Sequence, residues 1–232
     1  TRTIDDLDAV HGLQPGAIID GRFEVLQRLG AGGSAAVWKV RHLRLGSLHA
    51  LKILHQPHPM LRRRLESEGI FQGRVRHSNV VSITDLVDVD GAPALVMEYV
   101  SGDTLGRLLQ TSSPTPEQID ALARGILAGI QAIHDAGLIH RDIKPANVLL
   151  SVEGTELVPR ITDFGIARQR QGGPGLTQTG VLMGTIGYMA PEQIRDPSSV
   201  AQQADIWSLG CLLHRLVSGR DPFVGADTGD VL

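Results

Sequence analysis

The sequence predicts an α+β chain of two lobes. A lead-in over residues 1–20 is followed by an N-terminal lobe over 21–100, an antiparallel five-stranded sheet with one helix, and then by a mainly helical C-terminal lobe over 101–232. Three observations predict it. Short runs with strand character, broken by glycine-containing turns, fill the first lobe. Past Ser101-Gly102-Asp103 the apolar residues recur at helical spacing. Within the helical part lies a polar stretch, His140-Arg141-Asp142-Ile143-Lys144-Pro145-Ala146-Asn147, which runs straight into the apolar Val148-Leu149-Leu150.

The elements follow in order. Residues 1–20 are acidic and irregular. Phe23, Val25 and Leu26 among Arg22, Glu24 and Gln27 predict a half-buried strand. The run Gly30-Ala31-Gly32-Gly33-Ser34-Ala35-Ala36-Val37 is a hairpin turn leading into a second strand, Trp38-Lys39-Val40. A third strand, His49 to Leu54, contains a single lysine, Lys52. Leu61 to Val75 reads as a helix, with Leu65, Glu68, Gln72 and Val75 on one face. Gly69 and Gly73 each cost such a helix about 1 kcal/mol against alanine, so it must rely on packing. Val80 to Val89 and Pro93 to Tyr99 are two further strands joined by Asp90-Gly91, a strong hairpin signal.

The second lobe has clear helix punctuation. Thr115-Pro116-Glu117-Gln118 supplies an N-cap, a proline at N1 and a glutamine at N3. Ile119, Leu122, Ile126, Ile130 and Ile133 continue that helix, and Gly137 ends it. Arg160-Ile161-Thr162 is a short strand before Asp163-Phe164-Gly165. A loop over 166–189, with Gln171 to Gly175 as its flexible part, precedes a buried helix from Asp205 that ends at Ser218-Gly219.

Composition excludes several classes. The chain of 232 residues is 42% hydrophobic and 20% charged, as expected of an ordinary globular protein with room for two cores. A net charge of −3 gives no bulk attraction to nucleic acid or to an anionic membrane. No apolar run is long enough to span a bilayer, and no signal-peptide pattern opens the sequence, which points to a cytoplasmic location. The one cysteine, Cys211, rules out an internal disulfide and reads as a small buried hydrophobe. His49, His55 and His58 have no cysteine or carboxylate cluster at ligand spacing, so they are not read as a metal site. The sequence begins with Thr1 and runs out without a terminating helix, and is expected to be a piece of a longer protein, with any membrane anchor or sensor domain outside it.

The polar stretch carries the chemistry. Phosphoryl transfer needs a carboxylate to orient the attacking hydroxyl, a cation to offset charge on the moving group, and an amide oxygen to help hold Mg²⁺. Asp142, Lys144 and Asn147 fit those roles in that order. Glycines such as Gly30, Gly32 and Gly33 let backbone N–H groups approach phosphate oxygens unobstructed. The polar stretch fits the pattern H-R-D-x-x-x-x-N, and Asp163-Phe164-Gly165 stands sixteen residues after Asn147. Ala190-Pro191-Glu192 closes the loop that follows.

In these motifs the chain resembles the eukaryotic-type (Hanks-type) serine/threonine protein kinases, and Asp-Ile-Lys-Pro-Ala-Asn with the threonine pair Thr177 and Thr179 resembles bacterial members, here C-terminally truncated. The resemblance implies the two-lobed protein kinase fold and ATP-dependent transfer to Ser/Thr hydroxyls of proteins, with Mg²⁺, or Mn²⁺ as an alternative. It implies that Lys52 contacts the α- and β-phosphates and pairs with a helix glutamate. Glu66 and Glu68 lie about 200° apart around a helix, so only one faces inward. Glu68 shares a face with Leu65 and stands nine residues before His77, which favours it, with Glu66 as the fallback. Met97 is then the residue at the back of the nucleotide pocket, and Glu98 to Val100 the hinge that pairs with adenine. The implied nucleotide-binding set is Leu29, Gly30, Gly32, Gly33, Ser34, Val37, Ala50, Lys52, Met97, Glu98, Val100 and Leu149. Asp163 joins Asn147 on Mg²⁺, and the aspartate of the later helix, Asp205, anchors the catalytic loop backbone.

Thr177 and Thr179 are the expected regulatory phosphorylation sites, where a phosphate could pair with Arg141 and order the loop, with a homodimer as the route for one copy to modify another. Thr185 and Lys144 point to serine/threonine substrates. Ala35 stands where the family's glycine loop has its third glycine, and His49 where its lysine strand has valine. The competing class is a pseudokinase, a nucleotide-binding scaffold without turnover. Every residue with a chemical role is present, which argues against it. A small-molecule phosphotransferase is disfavoured by Gly184-Thr185-Ile186-Gly187-Tyr188-Met189-Ala190-Pro191-Glu192, which suits a peptide substrate.

Overall fold

Alternating apolar and polar residues set the register of an antiparallel sheet formed by β1 (Ile18–Ile19), β2 (Phe23–Ala31), β3 (Ala35–His42), β4 (Leu48–Leu54), β5 (Ile83–Val89) and β6 (Ala92–Glu98), in the order β1-β2-β3-β4-β6-β5. The computed structural model describes residues 13–31, 35–54, 59–164, 186–196 and 200–223. Within 59–72 the side chains of Pro59, Met60, Leu61, Arg64 and Glu68 lie outside that description. The chain divides into two units, Thr1–Arg74 with Ser82–Val100, and Val75–Val81 with Ser101–Leu232.

In the first unit all five expected strands are present, and a sixth lies in the lead-in, where Ile18 pairs with Glu24 and Ile19 with Phe23. Two residues are too few to show an alternation. One face of the sheet brings Trp38, Leu51 and Val96 side by side in register and buries them with Leu13, Ile19 and Phe23. Each fully buried side chain of this size stabilises the fold by about 1.5–3 kcal/mol. The opposite face carries two rows, Val37–Lys52–Leu95 and Lys39–Ala50–Met97. Asp90 (φ 50°) and Gly91 (φ 82°) take the left-handed conformations that a two-residue hairpin demands.

The helix α1 (Pro59–Gln72) packs against β5 and β6. A Cβ on Gly69 would stand 2.4 Å from Cδ2 of Leu95, so glycine is what lets α1 lie this close to the sheet. The helix stops at Gln72, three residues short of the expected end, because Val75 is buried in the core of the other unit.

In the second unit α2 (Leu105–Thr111) is capped by Thr104, whose hydroxyl accepts from the Arg107 N–H at 3.1 Å. The expected capping box opens α3 (Pro116–Asp135), with Gln118 N–H on Thr115 Oγ1 at 3.3 Å and Thr115 N–H on Gln118 Oε1 at 2.9 Å. The buried stripe Leu122, Ile126, Ile130 and Ile133 joins Val148, Leu150, Ile161 and Phe164 in one core. A Cβ on Gly129 would meet Asn79 O and Ile161 Cδ1 at 2.8 Å each, so this glycine sets how near α3 approaches β8 (Glu156–Ile161). β8 pairs with β7 (Val148–Glu153), a hairpin of which the sequence signalled only the outer ends. After a short α4 (Pro191–Arg195), the helix α5 (Gln202–Ser218) buries Asp205, Ser208, Leu209, Cys211, Leu212 and Leu216 and ends at Gly219 in a left-handed conformation.

Candidate active site

The polar stretch lies between α3 and β7, and ahead of the 3₁₀ turn Pro145–Asn147 its shape is set by hydrogen bonds. Asp205, fully buried on α5, accepts three of them: His140 N–H on Oδ2 at 2.8 Å, Arg141 N–H on Oδ1 at 2.7 Å, and Nε2 of His134 on Oδ2 at 2.9 Å. Two successive backbone N–H groups thus face one carboxylate, which holds Arg141 in a left-handed conformation (φ 70°). His140 is buried with its ring edge-on to Phe164 at 5.0 Å. Its Nδ1 accepts from Asp142 N–H at 3.2 Å and its Nε2 donates to Thr162 O at 3.1 Å. That pairing suits the neutral imidazole, and burial pushes His140 below the usual histidine range. His140 packs the loop and bridges Asp142 N–H to Thr162 O.

The chemical groups converge on Asp142. Its Oδ2 meets Nζ of Lys144 at 3.0 Å and Nδ2 of Asn147 at 2.8 Å, and Nδ2 also donates to Asp142 O at 2.8 Å. Lys144 and Asp142 are mostly buried, so their attraction is less screened than that of a surface pair. The amide nitrogen of Asn147 is committed to Asp142, which leaves Oδ1 on the other edge, where it meets no donor among the described residues. Thr162 N–H donates to Asn147 O at 3.0 Å, which ties the backbone leading into Asp163 (φ 60°) to the same turn. An amide oxygen and a carboxylate fit Mg²⁺, which takes one or two protein oxygens and keeps waters or phosphate oxygens for the rest. Among the described residues no cluster of three His, Cys, Asp or Glu could hold a metal by itself.

The first unit holds most of the residues expected to contact the nucleotide. Lys52 lies on β4 beside Val37 and Leu95, with Ala50 beside Met97 in the next row. Gly69, next to Glu68, sits over Leu95 and so over the face that carries Lys52. The Glu68 side chain itself is outside the described residues. Ala50, Met97 and Val100 are buried, Leu29 is exposed, and Nζ of Lys39 stands 4.3 Å from the ring centroid of Tyr99. Glu98 N–H donates to Ser82 O at 2.9 Å. Gly30 pairs with Val37 across the hairpin. Gly32, Gly33, Ser34, Thr177, Thr179 and Thr185 lie outside the described residues. Leu149, in the second unit, bridges to Thr104.

Sequence reasoning missed two contacts of the second unit. Gln193 Nε2 donates to Arg141 O at 2.9 Å, while its Oε1 accepts from Ala190 N–H at 3.0 Å. The usual signal for such a residue is a Ser or Thr three positions earlier, and here that position is Ala190. The Tyr188 hydroxyl donates to Asp221 Oδ1 at 2.5 Å, and burial together with that bond pushes Tyr188 well above the usual tyrosine range.

The protein kinase domain family matches residues 23–231. The chain is similar to the serine/threonine-protein kinase pkn2 of Myxococcus xanthus, 37% identical over 213 residues that make up 90% of this chain and 26% of that protein. It is also similar to the serine/threonine-protein kinase PknL of Mycobacterium tuberculosis, 34% identical over 215 residues, 90% of this chain and 52% of that protein. The chain thus spans between a quarter and about half of these curated relatives. Among solved structures, the PknI kinase domain of Mycobacterium tuberculosis superposes with a TM-score of 0.70 at 26% identity, covering 91% of this chain and 79% of that one.

Proposed function

Because this chain belongs to the protein kinase domain family, we propose that it transfers the γ-phosphoryl group of ATP to serine and threonine hydroxyls of proteins. The observation that carries the proposal is the grouping of Asp142, Lys144 and Asn147 on one anchored turn. Asp142 orients the incoming hydroxyl and takes up its proton. Lys144 offsets negative charge on the γ-phosphate, and Asn147 and Asp163 hold Mg²⁺, which supplies charge neutralisation at the phosphate oxygens. Lys52, supported by Glu68, positions the α- and β-phosphates. In the first unit Leu29, Gly30, Gly32, Gly33, Ser34, Val37, Ala50, Met97, Glu98 and Val100 receive the nucleotide. Most of the rate gain then comes from fixed charge and orientation, since the phosphoryl group needs little covalent help.

The substrates are proteins, read through the segment that begins at Thr185, and Mg²⁺ is the working metal, with Mn²⁺ as a substitute. Thr177 and Thr179 are phosphorylated by a second copy of the chain, and Arg141 receives the new charge. No helix among the described residues is long and apolar enough to cross a membrane. The reaction is assigned to the cytoplasm, where ATP is at hand.

The test compares wild type with Asp142→Asn after incubation with ATP and Mg²⁺, reading phosphate by mass spectrometry and nucleotide binding by calorimetry. Transfer should drop by roughly 10²–10⁴-fold in the variant with ATP affinity retained. Phosphate on Thr177 or Thr179 should be found in wild type alone. Turnover at the wild-type rate in Asp142→Asn would overturn the assignment.

A further inference from the structure

We infer that Gln193 is a positioning residue for the catalytic aspartate, linking residues 188–190 to the catalytic loop through the carbonyl of Arg141. The inference rests on the phosphotransfer reading above. The carbonyl that Gln193 grips belongs to the peptide unit joining Arg141 to Asp142. That unit is planar, so fixing its oxygen and its N–H fixes the direction in which the chain enters Asp142. Gln193 Nε2 holds the oxygen at 2.9 Å, and Nδ1 of His140 accepts the N–H at 3.2 Å. The preceding N–H of Arg141 is held by Asp205 at 2.7 Å. A non-glycine residue in the left-handed conformation is disfavoured, and these three bonds are what hold Arg141 there.

The other end of the same side chain reports on a different segment. Gln193 Oε1 accepts from Ala190 N–H at 3.0 Å, and Ala190 O accepts from Gln193 N–H at 2.9 Å. Ala190 is fully buried. The stretch just before it is fastened to α5 by Ser208 Oγ on Tyr188 O at 2.7 Å and farther on by the Tyr188–Asp221 bond. The amide of Gln193 therefore uses its donor for the catalytic loop and its acceptor for residues 188–190. When 188–190 are seated, the amide is turned toward Arg141.

Two substitutions separate the two ends. Gln193→Glu keeps an acceptor for Ala190 N–H but has no donor for Arg141 O. Gln193→Lys keeps a donor but loses the acceptor. With ATP–Mg²⁺ and casein as phosphoacceptor, Gln193→Glu should lower kcat by roughly tenfold, the worth of one well-placed hydrogen bond, with KM for ATP within about twofold of wild type. Gln193→Lys should keep kcat within about threefold even if its Tm falls further than that of the Glu variant. A purely structural role would make kcat follow Tm in both. Wild-type kcat in Gln193→Glu, or an equal loss in Gln193→Lys, would overturn the inference. Hydrogen exchange of the peptide spanning 140–143 decides it independently of turnover. Exchange should quicken in Gln193→Glu and not in Gln193→Lys, whereas unchanged exchange in both would also overturn it. A wild-type chain without any transfer would sink the phosphotransfer reading and leave the exchange result to decide the coupling.

Discussion

The two regions to which the proposed function assigns the chemistry are built in opposite ways. Lys52 sits in the middle of a sheet, and its position follows from the register of β3, β4 and β6 and from the apolar face on the other side of its strand. Residues 140–147 have no regular structure beyond the 3₁₀ turn Pro145–Asn147, contain a left-handed Arg141, and are held by side chains reaching from α4 and α5. A sheet position is shared over many contacts, so no single residue decides it. A loop position is the sum of a few directional bonds, and each can be removed by one substitution. Polar substitutions far from the reacting atoms should therefore damage the loop's chemistry, while core substitutions under Lys52 should damage stability and leave the chemistry nearly intact.

The largest effect expected on this view is at Asp205. Asparagine has one acceptor oxygen where the carboxylate has two, and its amide would set a donor against His140 N–H or Arg141 N–H. Hydrogen bonds to a charged group are worth about 1.5–3 kcal/mol each, and a buried donor left unpaired costs about as much again. Asp205→Asn should lower kcat by on the order of a hundredfold, with ATP binding within about threefold of wild type and faster amide exchange at 140–142. Wild-type turnover in this variant would break the comparison at its strongest point.

The contrast also decides what could be read from the sequence. The strands, the Asp90-Gly91 turn and the capping box at Thr115 follow local rules, and each is found close to its expected place. Local signals fail where tertiary contacts take over. Ile18–Ile19 is too short to alternate and becomes a strand because β2 is there to receive it. The helix ends at Gln72 because Val75 is captured by a different core. Within the site, Asp142, Lys144 and Asn147 were legible because their spacing along the chain is itself the signal. Gln193 was not, because its partner, Arg141 O, lies 52 positions away and is a backbone atom that no residue type announces. Asp205 could be assigned to the loop backbone only through family resemblance, for the same reason.

A smaller effect on chemistry, though a large one on stability, is expected beneath Lys52. Leu51 is fully buried between Trp38 and Val96 on the face opposite the lysine. Leu51→Ala should cost about 2–5 kcal/mol of stability, the range for a large-to-small change in a packed core. At a temperature where the variant remains folded, kcat should stay within about threefold of wild type, because cross-strand hydrogen bonds still fix the register of β4. A hundredfold loss of kcat there, equal to that of Asp205→Asn, would show that the sheet transmits local defects as readily as the loop does.

The smallest effect sharpens the comparison through pH, since each region contains a histidine that burial holds below its usual range, His140 in the loop and His49 in the sheet. The neighbouring His42 depresses His49 further. In the unfolded chain both titrate near pH 6.5, while the folded chain resists the proton, so the unfolded state binds more protons as the pH falls. Stability should therefore decline from about pH 7 downward, by at most about 1.4 kcal/mol per pH unit for each group. Carboxylates whose ranges are lowered, such as Glu117, Asp120 and Glu153, titrate below this window and do not enter it. His140 is wholly buried, whereas His49 is partly exposed and can rotate the Ser47 hydroxyl 2.9 Å away to accept from its Nε2–H once protonated. Urea denaturation between pH 7.5 and 5.0 should then show the slope flattened strongly by His140→Phe and only slightly by His49→Val. The reverse order would mean that the sheet, not the loop, holds the less adaptable polar group, and the distinction between the two regions would have to be redrawn around hydration rather than around directional bonds.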